Sequence, residues 1–308
     1  WLERGGLTDG SLATANVQPV ALPRRLVRRH HSNPKALRDA KRIPALLDAA
    51  RDSGDEAALE RARRAVQRTL GQALGKENAR LETYYALLML DGDRMGAILS
   101  GDDHNQITFR ESFHPKVQAG FDEHAGRQPL IRAYADQKRP ISPNRHLAIS
   151  GALNDFSQTV VRHVVEQEHL GRVIYAGGDD VLAMLPVADL LSTLQRLRHA
   201  YSGTVPEDAS LDWGDLQARG SLACKSGFAW LNGRLMRMMG RNATASCGAV
   251  IAHHQAPLAA VLRELRAAEQ RAKHEGGRDA FSLSVIKRSG GDLRLTGRWG
   301  LPLQVLSE

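Results

Sequence analysis

The 308-residue sequence holds only two cysteines, Cys224 and Cys247, far apart and neither in a CxxC pair. That excludes a zinc ribbon and a disulfide framework, and two reduced, buried thiols are the expectation. No run of about 18 apolar residues and no basic start followed by an apolar segment is present, so neither a membrane span nor a secretory signal is expected. The reading is a soluble, cytoplasmic protein. The histidine pairs at 30 and 253 lack His-x-x-Glu-His or similar metal spacing. "GSLACKS" (220–226) has Cys224 where the second glycine of a P-loop belongs, and Ser226 and Ser246 have no neighbouring histidine and acid, so a Walker site and a serine hydrolase are both rejected. Internal repeats and low-complexity tracts are missing too. The sequence begins with Trp1 rather than Met and ends at "LPLQVLSE" with no evident stop signal, which is expected of a piece of a longer chain.

What is there suffices for a core: 42% of the residues are hydrophobic, in a length that accommodates one large or two ordinary domains. The net charge of +8 suits contact with polyanions. Much of the excess is local, in "PRRLVRRHHSNPKALRDAKR" (23–42), where Pro23 and Pro34 leave open a solvated loop or helix end and an RNA- or partner-facing strip. The methionine cluster "RLMRMMG" (234–240) reads as core packing or an interface rather than a cofactor box.

Residues 43–80 carry apolar positions at spacings of three and four and predict a helical segment. "TYYALLMLDGD" (83–93) predicts a buried strand ending in acid, and 101–141 an irregular insertion. A long amphipathic helix is expected from Ser142 to Gly171, a hairpin over 173–185, and a second helix over 188–201. Residues 202–243 are turn-rich and ambiguous; a strand (244–253), a helix (257–273) and a strand (280–288) follow. This alternation predicts an α+β palm with helices packed on one sheet. The expected divisions are a helical region (1–80), the palm (81–290) and the start of a C-terminal region (291–308).

The hairpin, "VIYAGGDDVLAML", places adjacent carboxylates, Asp179 and Asp180, at its tip. Two unit charges about 4 Å apart repel by roughly 4 kcal/mol at an effective dielectric near 20, so the pair must be solvated or neutralised. A solvated turn is the plainer reading. A divalent cation is the other: Mg²⁺ takes hard oxygen ligands, typically one or two carboxylates with substrate phosphates completing its shell. Gly177 and Gly178 allow the turn and leave room for a nucleotide. "LLMLDGDRMG" brings a second acidic tip, with Asp91 and Asp93 flanking Gly92. If that strand pairs beside the hairpin, three or four carboxylates converge at one sheet edge, the arrangement that two-metal phosphoryl transfer needs.

"YYALLMLDGDRMG", "NRHLAISGALNDFSQTVV", "GRVIYAGGDDVLAMLP" and "TASCGAVIAHHQAPLAAVLRELRAAEQRAK" together resemble, in order, the second palm of the large subunit of type III CRISPR effector complexes, closest to the Cmr (III-B) branch, over about 83–290. The resemblance implies a nucleotidyl cyclase-like or polymerase-like palm, with a ferredoxin-like core of helices on an antiparallel sheet. It also implies an enzyme that joins ATP into cyclic oligoadenylates when the complex binds target RNA, with Mg²⁺ or Mn²⁺ as cofactor. Its partners would be the other subunits of the ribonucleoprotein, CRISPR RNA and target RNA. Carried over by position, Asp91 and Asp179 would hold metal, with Gly92 offering its carbonyl. Asp180 would complete the metal site or polarise the 3′-hydroxyl, Asp93 would be a further ligand, and Gly177 and Gly178 would face the nucleotide. In "RAKHEGGRDA", Lys273 and Arg278 would contact the triphosphate, although the spacing is one residue longer than in related cyclases. For this pair, cations at a helix C-terminus before a glycine stop remain the structural alternative. A His-Asp doublet, the zinc-binding cysteines and the first palm of the family lie outside this stretch. A diguanylate-cyclase-like enzyme and a degenerate palm serving as scaffold are the competing readings.

Overall fold

Residues Tyr84–Gly92 are apolar at nearly every position, and such a strand is stable only where both of its faces are covered. A computed structural model of the chain describes residues 17–22, 24–74, 82–102, 106–126, 128–205, 222–288 and 290–300. It places this strand, β1, inside a six-stranded sheet. The described strands are, in order, β1, β2 (Arg172–Gly177), β3 (Asp180–Leu185), β4 (Ala223–Lys225), β5 (Phe228–Leu231), β6 (Arg234–Arg237), β7 (Ala245–His253), β8 (Ala280–Ile286) and β9 (Asp292–Arg298). The main sheet runs β2-β3-β1-β7-β8-β9, and β4-β5-β6 form a small sheet of their own. The first four positions are antiparallel throughout; β8 joins β7 in parallel, and β9 pairs back on β8. The sheet therefore continues past residue 290, beyond the boundary expected for the palm.

Alternation along β1 assigns its two faces. Ala86, Leu88 and Leu90 join the larger core, and Leu87 and Met89 the smaller one. Against the first face lie a long helix and a shorter one. The long helix starts as α7 (Pro143–Asp155), capped where Ser142 Oγ accepts from Arg145 N, passes through π-helical turns on either side of α8 (Val161–His163), and ends at Glu168. Helix α9 (Leu190–Ser202) packs beside it through Leu190, Leu194, Leu197 and Tyr201. The opposite face is covered by α10 (Leu258–His274), whose Val261 and Leu265 meet Leu87, Val250 and Ala252. Two helices on one face of a β2-β3-β1-β7 sheet make the ferredoxin-like core, and α10 with β8 and β9 extends it.

The helical expectation before the palm is met by α2 (Pro34–Asp52) and α3 (Glu56–Leu74); its last residues, 75–80, lie outside the described ones. The basic strip is more helical than its prolines suggested. It contains α1 (Arg24–Arg29), and Pro34 occupies the first turn of α2, where a missing N–H costs nothing. The insertion expected to be irregular holds α4 (Met95–Ser100) at its approach, then α5 (Pro115–Ala125) and α6 (Pro129–Asp136), stacked through Phe109, Phe121 and Tyr134. Pro115 and Pro129 open these helices, each in a first turn where the missing N–H costs nothing. The ambiguous stretch after α9 supplies β4 to β6, with Met236 and Met238 buried as core. Cys224 and Cys247 are free and buried.

Glu168 ties the long helix to α9 through Arg196 Nε at 2.8 Å. Burial would raise its pKa, but hydrogen bonds from His163 and Arg196 outweigh it and bring the carboxyl down to about 2. A carboxylate depressed in the fold contributes stability above its unfolded pKa and loses it as the pH falls through the folded one. Glu168→Gln should therefore cost on the order of 2 kcal/mol at pH 7 and flatten the loss of stability between about pH 4.5 and 2. Urea titrations across that range check both.

Candidate active site

Three backbone relations build the site. The β1–β3 ladder runs to Leu90 opposite Val181, so Asp91 and Asp180 are the next residue on each strand, at the same end of the sheet. Gly177 pairs with Asp180 across a two-residue turn, Gly178–Asp179, in which Gly178 has φ +61°, as the primed turns favoured by short hairpins require. Asp179 is drawn in against β1: a Cβ on Gly92 would stand 2.8 Å from Asp179 Oδ2 and 2.5 Å from Tyr201 Oη. Glycine at 92 is what allows the hairpin tip to close on the strand end.

Face alternation separates the acids. Asp91 and Asp180 share the parity of Met89 and Leu182, on the α10 side, whereas Asp179 turns toward Gly92 and α9. On the α10 side Lys273 Nζ contacts Asp91 Oδ2 and lies 2.6 Å from Glu269 Oε1, so one ammonium spans two carboxylates. Gly248 makes this possible, because α10 crosses β7 with Glu269 N only 2.4 Å from where a Cβ would sit. Burial lowers the Lys273 pKa, with Arg278 adding to the effect, and raises that of Glu269, to which Asp180 and Asp93 also contribute.

Asp179 and Asp180 are both shifted up by burial, Asp179 also by its neighbour Asp180. Among the described residues neither makes an ion pair. Tyr201 Oη is buried and finds no hydrogen-bond partner among the described residues; burial, together with Asp179 and Asp93, pushes its pKa well up.

Asp93 is turned inward. Its Oδ2 accepts from Thr244 Oγ1 (2.7 Å) and Asp279 N (2.9 Å), and its Oδ1 accepts from Ser246 Oγ (2.7 Å), with Arg278 Nη1 at 3.9 Å. The donating turn is strained, since Gly277, Arg278 and Asp279 all have positive φ. Asp279 is held in turn by Arg198 Nε at 2.6 Å. Arg278, expected on a triphosphate, thus stands in a turn organised around Asp93.

The structure accordingly brings Asp91, Gly92, Gly177, Gly178, Asp179, Asp180 and Lys273 to one end of the sheet and commits the oxygens of Asp93 to tying β1, β7 and the 277–279 turn together. Sequence reasoning missed Glu269 and Tyr201. Glu269 was legible as an acid four residues before Lys273 on one helix face; Tyr201 had no local signal. Among the described residues, no three His, Cys, Asp or Glu side chains already stand in metal-holding geometry. A cavity of about 770 Å³ opens between the α4–α7 insertion and residues 237–243, lined by Ile98, Asn144, Arg145, Met239 and Asn242 among others; Asp91, Asp179, Asp180 and Lys273 are not among its lining residues.

The model of the Cas10/Cmr2 second palm domain matches residues 84–282, from the first residue of β1 into β8. The chain belongs to the Cas10/Cmr2 family. The chain is 32% identical over 216 residues to the CRISPR system Cmr subunit Cmr2 of Pyrococcus furiosus, a match that spans 70% of this chain but only 20% of that relative. Two solved structures of the type III-B Cmr-beta complex, one in the apo state and one bound to cognate target RNA, share the Cas10/Cmr2 fold seen here. Each has TM-score 0.50 and 18% identity, and each match covers 80% of this chain and 30% of the other. No described helix of this family member is long and apolar enough to cross a membrane.

Proposed function

We propose that this palm condenses ATP into cyclic oligoadenylates as part of a type III CRISPR ribonucleoprotein, with other Cmr-type subunits, CRISPR RNA and target RNA as its partners. The observation that carries the reading is the closure of the hairpin tip on β1, which gathers Asp91, Asp179 and Asp180 at one strand end. The donor set fits Mg²⁺ or Mn²⁺: hard carboxylate oxygens, two of them raised in pKa by burial and unpaired with any cation among the described residues. Asp91, Asp179 and Asp180 would hold the ion, with the Gly92 carbonyl. Bound there, it would neutralise triphosphate charge and favour ionisation of a ribose 3′-hydroxyl.

The remaining steps belong to the chain itself. Lys273 guards Asp91 and leaves it for the incoming triphosphate, and Glu269 keeps the ammonium within reach. Asp93 holds the strand end rigid through its hydrogen bonds to Thr244, Ser246 and the Asp279 amide. Lys273→Met should raise the KM for ATP about tenfold, because it removes a contact made equally in the ground and transition states, with a smaller effect on kcat.

The Lys273–Asp91 pair also favours a second reading, a scaffold in which the acid is permanently neutralised. Mass analysis of products from each nucleoside triphosphate, with Mn²⁺, target RNA and partner subunits supplied, separates the readings. Cyclic oligoadenylates from ATP support the first, and a cyclic dinucleotide from GTP points to a diguanylate-cyclase-like enzyme. No product from an intact, RNA-bound complex leaves the scaffold.

A further inference from the structure

Tyr201 carries a hydroxyl that packing alone does not account for. Its ring is fully buried near the end of α9, edge-on to Phe156 with centroids 5.2 Å apart, and its carbonyl accepts from Met239 N at 3.1 Å. The side chain is held on more than one side, yet among the described residues its hydroxyl has no hydrogen-bond partner. Leaving such a group unpaired in a core costs free energy that phenylalanine, in the same space, would not incur. Two acids, Asp179 and Asp93, act on this hydroxyl. One Cβ-sized point beside Gly92 lies 2.5 Å from Tyr201 Oη and 2.8 Å from Asp179 Oδ2, so both oxygens border the same small space above Gly92. Asp93, the other acid close by, already has both oxygens engaged by Thr244, Ser246 and the Asp279 amide.

We propose that Tyr201 is a positioning residue: its hydroxyl donates to the inner oxygen of Asp179 when a divalent cation is held at the hairpin tip, aiming the outer oxygen at the ion. The inference rests on the cation-binding reading of the site given above. A hydroxyl reserved in this way is idle in the cation-free protein and engaged in the loaded one, whereas a structural hydroxyl would stabilise both. Partners that orient a ligand in this way are typically worth 10–100-fold in metal affinity.

The test is a Mn²⁺ titration followed by electron paramagnetic resonance, with thermal unfolding in parallel, on the full chain, Tyr201→Phe and Asp179→Ala/Asp180→Ala. The expected result is a Mn²⁺ site that the double variant lacks, about tenfold weaker in Tyr201→Phe, with the metal-free Tm of Tyr201→Phe equal to or above wild type. Equal Mn²⁺ affinity in wild type and Tyr201→Phe overturns the proposal while leaving the cation site standing. A lowered metal-free Tm at unchanged affinity overturns it in favour of a structural hydroxyl. If wild type binds no more Mn²⁺ than the double variant, the cation reading fails first and takes this inference with it.

Discussion

In the assembled, RNA-bound complex, Asp179→Ala/Asp180→Ala should lower product from ATP by at least about 10³-fold, equivalent to roughly 4 kcal/mol of transition-state stabilisation. The hairpin tip supplies two of the three carboxylates gathered at the strand end, and no other described acid replaces them: Asp93 is saturated and Glu269 is held by Lys273. The same variant should not be less stable. Both carboxyls have pKa values raised by burial, so the folded state binds protons more readily than the unfolded one there. Their ionisation at neutral pH works against the fold, and stability falls as the pH rises through the raised values. Alanine removes that penalty. Lost synthesis with an unchanged or higher Tm marks a functional site held at some expense of stability; lost synthesis with a collapsed Tm would mean that the turn, not its charge, had been removed. Product chromatography and a thermal scan of the same samples distinguish the two.

Gly248→Ala should produce the largest loss of stability. The added Cβ would meet Glu269 N at 2.4 Å, Glu269 Cα at 2.8 Å and Leu265 O at 2.8 Å, all backbone atoms of α10 that cannot swing aside. Helix and sheet must separate, which costs about 3 kcal/mol and lowers Tm by roughly 6–12 °C for a domain of this size. Function suffers by the same movement, because α10 carries Lys273 and Glu269 to Asp91. If Gly248→Ala unfolds at the wild-type temperature, α10 does not pack as closely on β7 as described.

Much of this was visible in the sequence where the signal was local. The apolar run of β1, the Gly-Gly-Asp-Asp turn and the Ser-Pro start of α7 each announce themselves within ten residues. The four motifs in register also carried the family. Where the signal depended on context it misled. A mix of Asp, His, Gly and Pro without steady periodicity suggested an irregular insertion over 101–141, although Pro115 and Pro129 open α5 and α6 in positions compatible with a helix, and the Phe109–Tyr134 stack is a tertiary contact.

For the site, the chain's own chemistry determined which residues could take part: paired carboxylates that repel, glycines that permit a primed turn, and a lysine on the face of an amphipathic helix. Those are properties of residue type and spacing, and they are set before the chain folds. Only the tertiary structure decided what each acid does. Strand register set Asp91 and Asp180 at the same end of the β1–β3 ladder, the space over Gly92, bordered by the Tyr201 hydroxyl, admitted Asp179, and hydrogen bonds from β7 and the 277–279 turn claimed both oxygens of Asp93. Asp91 and Asp93 look alike in sequence, two residues apart on one strand end. They part company because a carboxylate's role depends on which donors reach it, and those donors lie more than 150 residues away along the chain.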